Sequence, residues 1–345
     1  MNEKDVTVGI TMGDPCGIGP EIVVKALADE SLRAQARFVV FGFSELFSYA
    51  ADQAEVDFVW FRDHHEQVRR YGYDVVVLDF DELATPAAGE AKPTRYGGLA
   101  SMAFLEDAIT AARAGLIDAL VTAPISKQAW RLAGYRWPGH TELLVKRTGA
   151  KHYAMMFVAP QLKVVLATIH QPLFEIRHGF TIGCVFNPID LADGALRELF
   201  GLAEPRIAVC GLNPHAGEDG RFGDEEKRII EPAILMAAEA GINVSGPYPA
   251  DTLFARAVAG EFDCVVAMYH DQGLIPVKLL AWRQAVNLTL GLPIIRTSPG
   301  HGTAFDIAGK NLADPEPMKS AIRLAIQLAR QRAARAGKKD RRAGG

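Results

Sequence analysis

The sequence predicts an α/β fold with a largely parallel sheet, because short apolar runs alternate with segments of helical spacing along most of the chain. Seven runs are predicted to be buried strands, since each is short, apolar or β-branched, and bounded by turn-forming or polar residues. They lie at residues 6–11, 38–41, 75–78, 120–123, 164–168, 207–210 and 264–268. Helical spacing and length mark residues 96–114, 225–240 and 317–334.

The length of 345 residues suggests about two domains, at roughly 150 residues per domain. No linker is visible, so we expect the two ends of the chain to meet in one domain and the middle to form the other. The segment from Arg330 onward is basic, ends in glycine and lacks apolar residues. That composition predicts a disordered tail at residues 331–345.

Charge and composition exclude several classes of protein. The formal net charge is −4, which argues against a protein that coats nucleic acid or an anionic membrane. No apolar run approaches the roughly 20 residues needed to cross a bilayer, and no signal peptide is visible. The four cysteines form no C-x-x-C pair. A reduced, cytoplasmic protein without disulfides or a thiolate zinc site is therefore expected.

Three histidines follow the last three predicted strands. His170, His215 and His270 come at or just beyond the carboxyl ends of those runs. Ligands of α/β sheets bind at that edge, and three imidazoles meeting there would hold Zn²⁺, Co²⁺ or a similar ion with positions open for substrate. Asp271 would orient the ring of its neighbour His270. For any single one of the three, a loop histidine without a metal is the alternative.

The other histidines and the missing motifs narrow the reaction classes. His64 and His65 stand in a charged segment and are predicted to face solvent, whereas His152 and His178 stand beside basic residues and are assigned no chemical role. The sequence contains no H-E-x-x-H, no G-x-S-x-G and no G-x-x-x-x-G-K-[ST]. The sequence therefore lacks the motifs that are usual in zinc proteases, α/β-hydrolases and P-loop proteins.

Anion recognition has candidate residues as well. Thr141 precedes a helical run and is predicted to cap a helix whose N-terminus attracts phosphate or carboxylate. Lys278, Asn287 and Arg296 lie in a mainly apolar, strand-rich segment, residues 273–296. A cation there is costly unless it is paired or binds an anion. Structural ion pairs are the alternative for both cations.

Two glycine-rich turns complete the candidates. The first, residues 13–20, follows the first strand and opens a helix with Pro20 near its start. It lacks the G-x-G-x-x-G pattern, and a tight turn accounts for it. In the second, residues 298–309, glycines would let the backbone approach a ligand, and Asp306 would accept hydrogen bonds from ribose hydroxyls.

Taken together, seven segments between residues 11 and 309 resemble the 4-hydroxythreonine-4-phosphate dehydrogenase family of pyridoxal phosphate biosynthesis. The resemblance covers nearly the whole chain and is more specific for the family than for its substrate, since Ile169, Gln171 and Gly300 depart from the pattern the family often shows. The matching segments are TMGDPCGIGPEI, GHTELL, LATIHQPL, GLNPHAGEDGRFGDEE, PADTLF, AMYHDQGLIPVK and VNLTLGLPIIRTSPGHGTAFDIAG.

The resemblance implies the two-domain fold of the isocitrate and isopropylmalate dehydrogenases, with a cleft between the domains. Residues 1–125 with 297–330 would form the nucleotide-binding domain, and residues 126–296 the domain for substrate, metal and dimerisation. It further implies one divalent metal, Zn, Co or Mg, in a site completed across a homodimer interface. The implied metal ligands are His170, His215 and His270.

Roles for substrate and cofactor residues follow from the same resemblance. Asp251 would line the metal site, and Lys278 would be a proton acceptor or an electrostatic clamp. The substrate contacts would be His140, Thr141, Lys278, Asn287 and Arg296. Asp306 would face the adenosine ribose, where a carboxylate repels a 2′-phosphate, so NAD is predicted over NADP. The cofactor loop would comprise His301, Gly302, Thr303, Ala304 and Asp306.

The implied reaction is the NAD(P)-linked oxidation of 4-phosphooxy-L-threonine to 2-amino-3-oxo-4-phosphooxybutanoate, which loses CO₂ to give 3-amino-2-oxopropyl phosphate. Paralogues acting on 4-phospho-D-threonate, 4-phospho-D-erythronate or a cyclic dihydrodiol remain alternatives on the same fold. A metal-dependent isomerase or hydrolase, and a binding protein without catalysis, are the competing classes.

Overall fold

The structure, a computed structural model, describes residues 6–87 and 89–343. The chain divides into two compact units. Unit 1 takes the chain up to Ala150 together with Leu292–Arg330, and unit 2 takes Lys151–Gly291 together with the segment from Gln331 onward. Each unit is therefore built from two separate stretches of chain.

Twelve strands and twelve α-helices make up the described chain. The strands are β1 (Thr7–Thr11), β2 (Arg37–Phe41), β3 (Phe61–His64), β4 (Val75–Asp79), β5 (Ala119–Thr122), β6 (Ala154–Ala159), β7 (Leu162–Leu166), β8 (Ile207–Cys210), β9 (Val244–Tyr248), β10 (Cys264–Ala267), β11 (Val286–Leu290) and β12 (Arg296–Pro299). The helices are α1 (Gly19–Leu27), α2 (Glu30–Arg33), α3 (Ser44–Gln53), α4 (Arg95–Arg113), α5 (Lys127–Leu132), α6 (His140–Thr148), α7 (Ile176–Gly179), α8 (Ile182–Glu198), α9 (Glu231–Glu239), α10 (Ala250–Val258), α11 (His270–Ala281) and α12 (Glu316–Ala343).

The strands of unit 1 form a parallel array in the order β3-β4-β2-β1-β5-β12. Every residue of β1, β4 and β5 is buried, as expected for parallel strands covered on both faces. Helix α4 packs on β1, β2 and β5, and α1 packs on α3. The first glycine-rich turn joins β1 to α1, and Pro20 lies in the first turn of that helix, as predicted.

The strands of unit 2 follow the order β11-β6-β7-β10-β8-β9. Strand β6 runs antiparallel to β11 and β7, whereas β10 runs parallel to β7 and β8, and β8 runs parallel to β9. Aliphatic side chains from β7, β10 and α11 form the core of this unit. The parallel trio β7-β10-β8 therefore brings three carboxyl ends to one edge of the sheet.

The predicted α/β class with a largely parallel sheet is confirmed. All seven predicted strands are present, and their ends lie within two residues of the predicted ones. The helices predicted at 96–114 and 317–334 are α4 and α12. The segment predicted as one helix at 225–240 is instead a π-helical turn, Glu226–Ile230, followed by α9.

Three predictions about boundaries need correction. The unit boundaries lie after Ala150 and after Gly291 rather than after residues 125 and 296, because α5 and α6 pack on α4 and so belong to unit 1. Residues 331–343, predicted as a disordered tail, continue helix α12. The last two residues of that predicted tail lie outside the described part.

None of the helices described between residues 6 and 343 combines the length and the hydropathy that a membrane crossing requires.

Candidate active site

The carboxyl ends of β7, β10 and β8 lie side by side in unit 2, and each is followed by one of the three predicted metal ligands. His170 comes four residues after β7, and His270 is the first residue of α11, three residues after β10. His215 comes five residues after β8. Because neighbouring parallel strands end at the same edge, the topology places the three backbones in the same region.

A cleft of about 370 Å³ opens at this edge between the segments that follow β7 and β10. The ring centroids of His170 and His270 lie 5.7 Å apart. Nδ1 of His270 lies 2.7 Å from a carboxylate oxygen of Asp271, which fixes Nδ1 as the N–H donor and leaves the Nε2 lone pair free to bind a metal. The residues lining the cleft are Ile169, His170, Gln171, Pro172, Leu173, Ile176, Tyr269, His270 and Asp271.

His215 lies on a strained loop beside this edge. From His215 to Asp219 every residue has a positive φ, and the His215 ring lies 6.0 Å from that of Phe222. Within residues 6–87 and 89–343, the ligand atoms of His170, His215 and His270 do not all lie within 4.8 Å of one another. The structure therefore brings His170 and His270 together, whereas gathering His215 with them requires a further movement of its side chain or loop.

Glu226 holds the His215 loop in place and is a residue that the sequence analysis missed. It is 2% exposed. One carboxylate oxygen accepts hydrogen bonds from the backbone N–H groups of Leu212 and Asn213 at 2.8 and 2.7 Å, and the other accepts from Nδ2 of Asn213 at 2.9 Å. The signal in the sequence is the acidic pair that closes the GLNPHAGEDGRFGDEE segment, where the helical spacing of residues 225–240 begins.

Three further predicted residues of unit 2 occupy different settings. Lys278 lies on helix α11 rather than on a strand, and its Nζ lies 5.1 Å from the centre of the Trp282 ring. The expected strand-rich character of residues 273–296 is thus wrong for the first part of that segment. Asn287 on β11 is buried, and its Oδ1 has no hydrogen-bond partner among the described residues. Asp251 is exposed in the first turn of α10.

Unit 1 contains a basic cluster around His140, in which Arg296 is buried, His140 is half-buried and Lys127 is exposed. Arg296, the first residue of β12, is 3% exposed and donates to Oγ1 of Thr122 at 2.6 Å. Burial lowers the pKa of Arg296 to about 10, and nearby Glu142 opposes that effect. Burial, together with the charges of Arg296 and Lys127, holds the pKa of His140 well below its usual value. His140 is therefore a neutral imidazole beside two cations.

The local structure explains how this cluster is held. The indole ring of Trp130 packs edge-on against His140, with ring centroids 5.8 Å apart. His140 is the first residue of α6, and its buried Nε2 has no hydrogen-bond partner among the described residues. The prediction that Thr141 caps this helix is wrong. Gly139 holds the N-cap position, and Thr141 is the second residue of the helix. With its proton on Nε2, the His140 ring would donate a hydrogen bond to a bound oxyanion.

Lys127 is the second residue that the sequence analysis missed. It begins α5, whose N-cap Ser126 accepts from the N–H of Ala129. Its charge acts on His140, and a Cβ at Gly139 would meet Lys127 Cε at 3.7 Å. The stretch APISK follows directly on β5. A lysine just beyond the carboxyl end of a strand was therefore the signal available in the sequence.

The two glycine-rich turns of unit 1 pack against each other. The N–H of Ile18 donates to the carbonyl oxygen of Thr303 at 3.0 Å. A Cβ at Gly17 would come within 2.9 Å of the same oxygen, so glycine is required for this approach. Asp306 is exposed, with its backbone oxygen accepting from Lys310. Of the predicted cofactor residues, Gly302 and Asp306 are exposed, and His301, Thr303 and Ala304 are half-buried.

Comparisons with known proteins identify a matching family model and similar dehydrogenases. A family model described as "Pyridoxal phosphate biosynthetic protein PdxA" matches residues 34–325. A 4-hydroxythreonine-4-phosphate dehydrogenase of Desulforapulum autotrophicum is 45% identical over 328 residues, covering 94% of this chain and 96% of that protein. A D-threonate 4-phosphate dehydrogenase of Cupriavidus necator is 44% identical over 346 residues, covering 96% of this chain and all of that protein, 100%.

Among solved structures, the 4-hydroxythreonine-4-phosphate dehydrogenase of Klebsiella pneumoniae has a TM-score of 0.83 at 39% identity, covering 94% of this chain and 100% of that one. These similar proteins are all named as dehydrogenases, which supports an oxidoreductase.

Proposed function

The chain belongs to the PdxA family of pyridoxal phosphate biosynthetic proteins, as its motifs predict, and we propose that it is a metal-dependent, NAD(P)-linked dehydrogenase of 4-phosphooxy-L-threonine. The observation that carries this proposal is the cleft of unit 2, in which the imidazoles of His170 and His270 stand 5.7 Å apart. The 45% identity to a curated 4-hydroxythreonine-4-phosphate dehydrogenase supports the substrate.

The residues at this edge fit a divalent metal. His170 and His270 line one cleft, and His215 follows the neighbouring strand, so the implied donors are imidazole nitrogens. Imidazole suits zinc or cobalt better than magnesium, which prefers oxygen ligands. When bound, the metal would act as a Lewis acid on the substrate hydroxyl and the nicotinamide would accept hydride. Asp271 holds the His270 ring with Nε2 available for this ligation.

In the proposed reaction the C3 alcohol of the substrate is oxidised to a ketone. NAD⁺ held by the loop at residues 301–306 would accept the hydride from C3, a proton would leave the hydroxyl, and the product would be 2-amino-3-oxo-4-phosphooxybutanoate. This β-keto acid loses CO₂ because the new carbonyl stabilises the developing enolate, and 3-amino-2-oxopropyl phosphate results. Lys278 is the proposed proton acceptor or electrostatic clamp. Its Nζ lies over the Trp282 ring, and it would have to leave that ring to reach a substrate.

The basic cluster of unit 1 is the proposed site for the substrate phosphate. Arg296 and Lys127 supply positive charge beside His140, whose buried Nε2 has no partner among the described residues. The positive charges of buried Arg296 and exposed Lys127 would offset the cost of desolvating an anion here, and holding the phosphate would orient the reacting carbon. Thr141 and Asn287 are proposed as further substrate contacts, and Asp251 as a residue lining the metal site.

The loop at residues 301–306 is the proposed contact with the cofactor. It is anchored on the β1–α1 turn through Thr303, so its backbone position is fixed. The exposed carboxylate of Asp306 would repel a 2′-phosphate, and NAD is therefore proposed over NADP.

A homodimer is proposed because helix α11 presents an apolar stripe beside the metal-site cleft. Ile275, Leu279 and Trp282, spaced at i, i+4 and i+7, are 65%, 85% and 68% exposed. Exposed apolar side chains at helical spacing mark interaction surfaces. Because the helix begins at His270, a second copy on this stripe would lie next to the metal-site cleft, in line with a site completed by both copies.

Oxidation of D-threonate 4-phosphate is the second candidate function. It is favoured by the 44% identity to a curated D-threonate 4-phosphate dehydrogenase over the full length of that protein. Both substrates carry a phosphate and a secondary alcohol next to a carboxylate-bearing carbon chain, so the residues described above serve either one.

A substrate panel separates these candidates. Purified protein is assayed for NADH formation with 4-phosphooxy-L-threonine, 4-phospho-D-threonate, 4-phospho-D-erythronate and a cyclic dihydrodiol, each with NAD and NADP. Turnover of the first with NAD is expected to be fastest. Faster turnover of 4-phospho-D-threonate would establish the second candidate, and metal-dependent turnover without nicotinamide would refute both.

The metal role is tested with His215→Ala. This substitution is expected to abolish dehydrogenation while leaving folding and NAD binding intact, and His152→Ala on the exposed surface is the matched control. If His215→Ala in chelated buffer turned over substrate at the normal rate, the proposed metal site would be wrong.

A further inference from the structure

Unit 1 holds a second group of metal-ligating side chains, far from the glycine-rich turns in sequence. His64 ends β3, His65 follows it directly, and Glu82 lies in the turn after β4. In the described part of the chain, these are the residues for which one ligand atom from each of three side chains lies within 4.8 Å of the others. The expectation that both histidines simply face solvent is wrong, because each is half-buried and contacts acidic side chains.

We propose that His64, His65 and Glu82 bind a divalent transition metal of the zinc class. Nε2 of His65 lies 3.0 Å from one carboxylate oxygen of Glu82, and Nε2 of His64 lies 3.7 Å from the other. Two ligands of a tetrahedral zinc ion, each about 2.0–2.1 Å from the metal, lie about 3.4 Å apart. The observed separations bracket that value. Two nitrogens and one oxygen are a donor set that zinc accepts.

Both ring nitrogens of His65 face carboxylate oxygens, Nδ1 that of Asp107 and Nε2 that of Glu82. Nδ1 of His65 lies 2.6 Å from a carboxylate oxygen of Asp107 on α4, so Nδ1 carries the proton. A neutral imidazole has one N–H and one lone pair, and its Nε2 lone pair then faces the Glu82 carboxylate at 3.0 Å. Two acceptors that face each other at this distance repel unless a proton or a metal ion lies between them. The Asp107–His65 contact is the outer hydrogen bond that metal-ligating histidines commonly make.

The remaining contacts are compatible with a metal. The His65 ring stacks on Phe80, with centroids 4.1 Å apart and planes at 13°, which restricts its rotation. His64 Nδ1 accepts a hydrogen bond from the N–H of Glu66 at 3.3 Å, so metal binding through Nε2 would move the ring proton to Nδ1. The Glu66 carboxylate, 3.9 Å from Nδ1, would then accept a hydrogen bond from that N–H. Asp81 lies 3.6 Å from His64 Nε2 and is engaged by Arg62 at 3.0 Å.

A metal here would tie together three elements of unit 1. His64 ends β3, the outermost strand of its sheet, and His65 follows it directly. Glu82 follows β4, and Asp107 lies on α4. A ligand that binds only the folded state stabilises it. Bound zinc is therefore expected to raise the melting temperature of the full chain and to stabilise the β3 edge of the sheet against unfolding.

The experiment counts zinc equivalents in the full-length protein after treatment with a chelator, by isothermal titration with Zn²⁺. His65→Ala is expected to lose one equivalent and the associated rise in melting temperature. Glu82→Gln tests the site without removing a half-buried ring, and it is expected to weaken zinc binding at this site by tenfold or more. Asp107→Asn removes the outer hydrogen bond and is expected to weaken it about 10–100-fold. His152→Ala is the matched control and should bind zinc like the wild type.

Zinc binding at His64, His65 and Glu82 can be tested separately from the metal site of the proposed function. His170→Ala should remove the other zinc equivalent and dehydrogenase turnover, whereas His65→Ala should leave turnover unchanged. If the metal site of unit 2 is absent, the wild type binds a single equivalent that His65→Ala still removes. The inference is overturned if His65→Ala and Glu82→Gln, both folded by circular dichroism, keep the wild-type number of equivalents and the wild-type dissociation constants.

Discussion

Asp14, fully buried, and His140, half-buried, are titratable groups of unit 1 whose pKa values shift in the direction that disfavours their charged forms. Asp14 is fully buried, and burial raises its pKa to about 6 although its Oδ1 accepts a hydrogen bond from the N–H of Cys16. Its Oδ2 has no hydrogen-bond partner among the described residues. The folded state therefore binds a proton more tightly than the unfolded state at Asp14, and less tightly at His140. The two residues change the free energy of unfolding with pH in opposite directions.

Replacement of Asp14 with asparagine is expected to change the pH profile of unfolding. The unfolded carboxyl ionises near its ordinary pKa of 3.8, whereas the folded one ionises near 6. Stability from this group is therefore lost as pH rises from about 4 to 6, by about 3 kcal/mol in total, and is flat above 6. The free energy of unfolding of Asp14→Asn relative to wild type, from urea titrations, should rise over that window. An equal difference at pH 4.5 and 7.5 would contradict the shift.

For His140 the expected effect has the opposite sign. The unfolded imidazole binds a proton below about pH 6.5, whereas the folded one, with its pKa well below that value, stays neutral. Stability from this group is therefore present above pH 6.5 and lost as pH falls below it. Wild type should lose more unfolding free energy than His140→Gln between pH 7.5 and 5.5, as measured by urea titration. Parallel curves for the two proteins would show that His140 titrates normally in the folded state.

At the scale of elements, the strands predicted from the sequence are all short apolar runs. Strands such as β1 and β4 are apolar throughout because parallel strands are buried on both faces. Strand β3, FRDH, is polar because it is an edge strand, and β12, RTSP, is buried with hardly any apolar side chain. Strand β9, VSGPY, contains glycine and proline, which normally indicate turns. No hydrophobic pattern distinguishes these three from loops.

The loop between β8 and the π-helical turn illustrates how an element carries a functional side chain. Its residues with positive φ are costly backbone conformations for side chains other than glycine, and Glu226 compensates by accepting three hydrogen bonds from it. The candidate ligands His170 and His270 were predictable from their strands, whereas the support from Glu226 depends on a carboxylate fourteen residues away from Leu212.

Glu226→Gln is expected to loosen this loop. The amide group would place its NH₂ against Nδ2 of Asn213, so that two donors face each other, and the free energy of unfolding should fall by about 1–3 kcal/mol. Metal affinity at the His215 site should fall about 10–100-fold, as is usual when the support of a ligand is removed. Glu231→Gln, an exposed position on α9, is the control for both measurements. Unchanged zinc affinity in Glu226→Gln would show that this loop does not support the metal site.

At the scale of the whole molecule, the two candidate sites fall in different units. His140 and Arg296 belong to unit 1, and His170, His215 and His270 belong to unit 2. The sequence predicts the division into two units and its discontinuity, but it sets the boundaries some 5 to 25 residues from the observed ones. The reason is that α5 and α6 join unit 1 by packing on α4, a tertiary contact that no local pattern records.

The proposed homodimer gives a prediction at this scale. Leu279→Glu places a charge on the exposed stripe of α11 and is expected to convert the dimer to a monomer, because an unpaired carboxylate is costly in an apolar interface. Light scattering after size-exclusion chromatography gives the mass. Leu235→Glu, at a position 60% exposed on α9, is the matched control. A dimer in both variants would show that the interface does not lie on α11.

The split of unit 1 between two stretches of chain has a consequence for its biosynthesis. Strand β5 pairs with β12, and Thr122 meets Arg296 across a sequence separation of 174 residues. At roughly 5–20 residues per second, a ribosome needs about 10–35 s to add that length. During this interval a nascent chain exposes the backbone edge of β5, a template for unwanted strand pairing. A polypeptide released before β12 is translated would therefore be prone to aggregate.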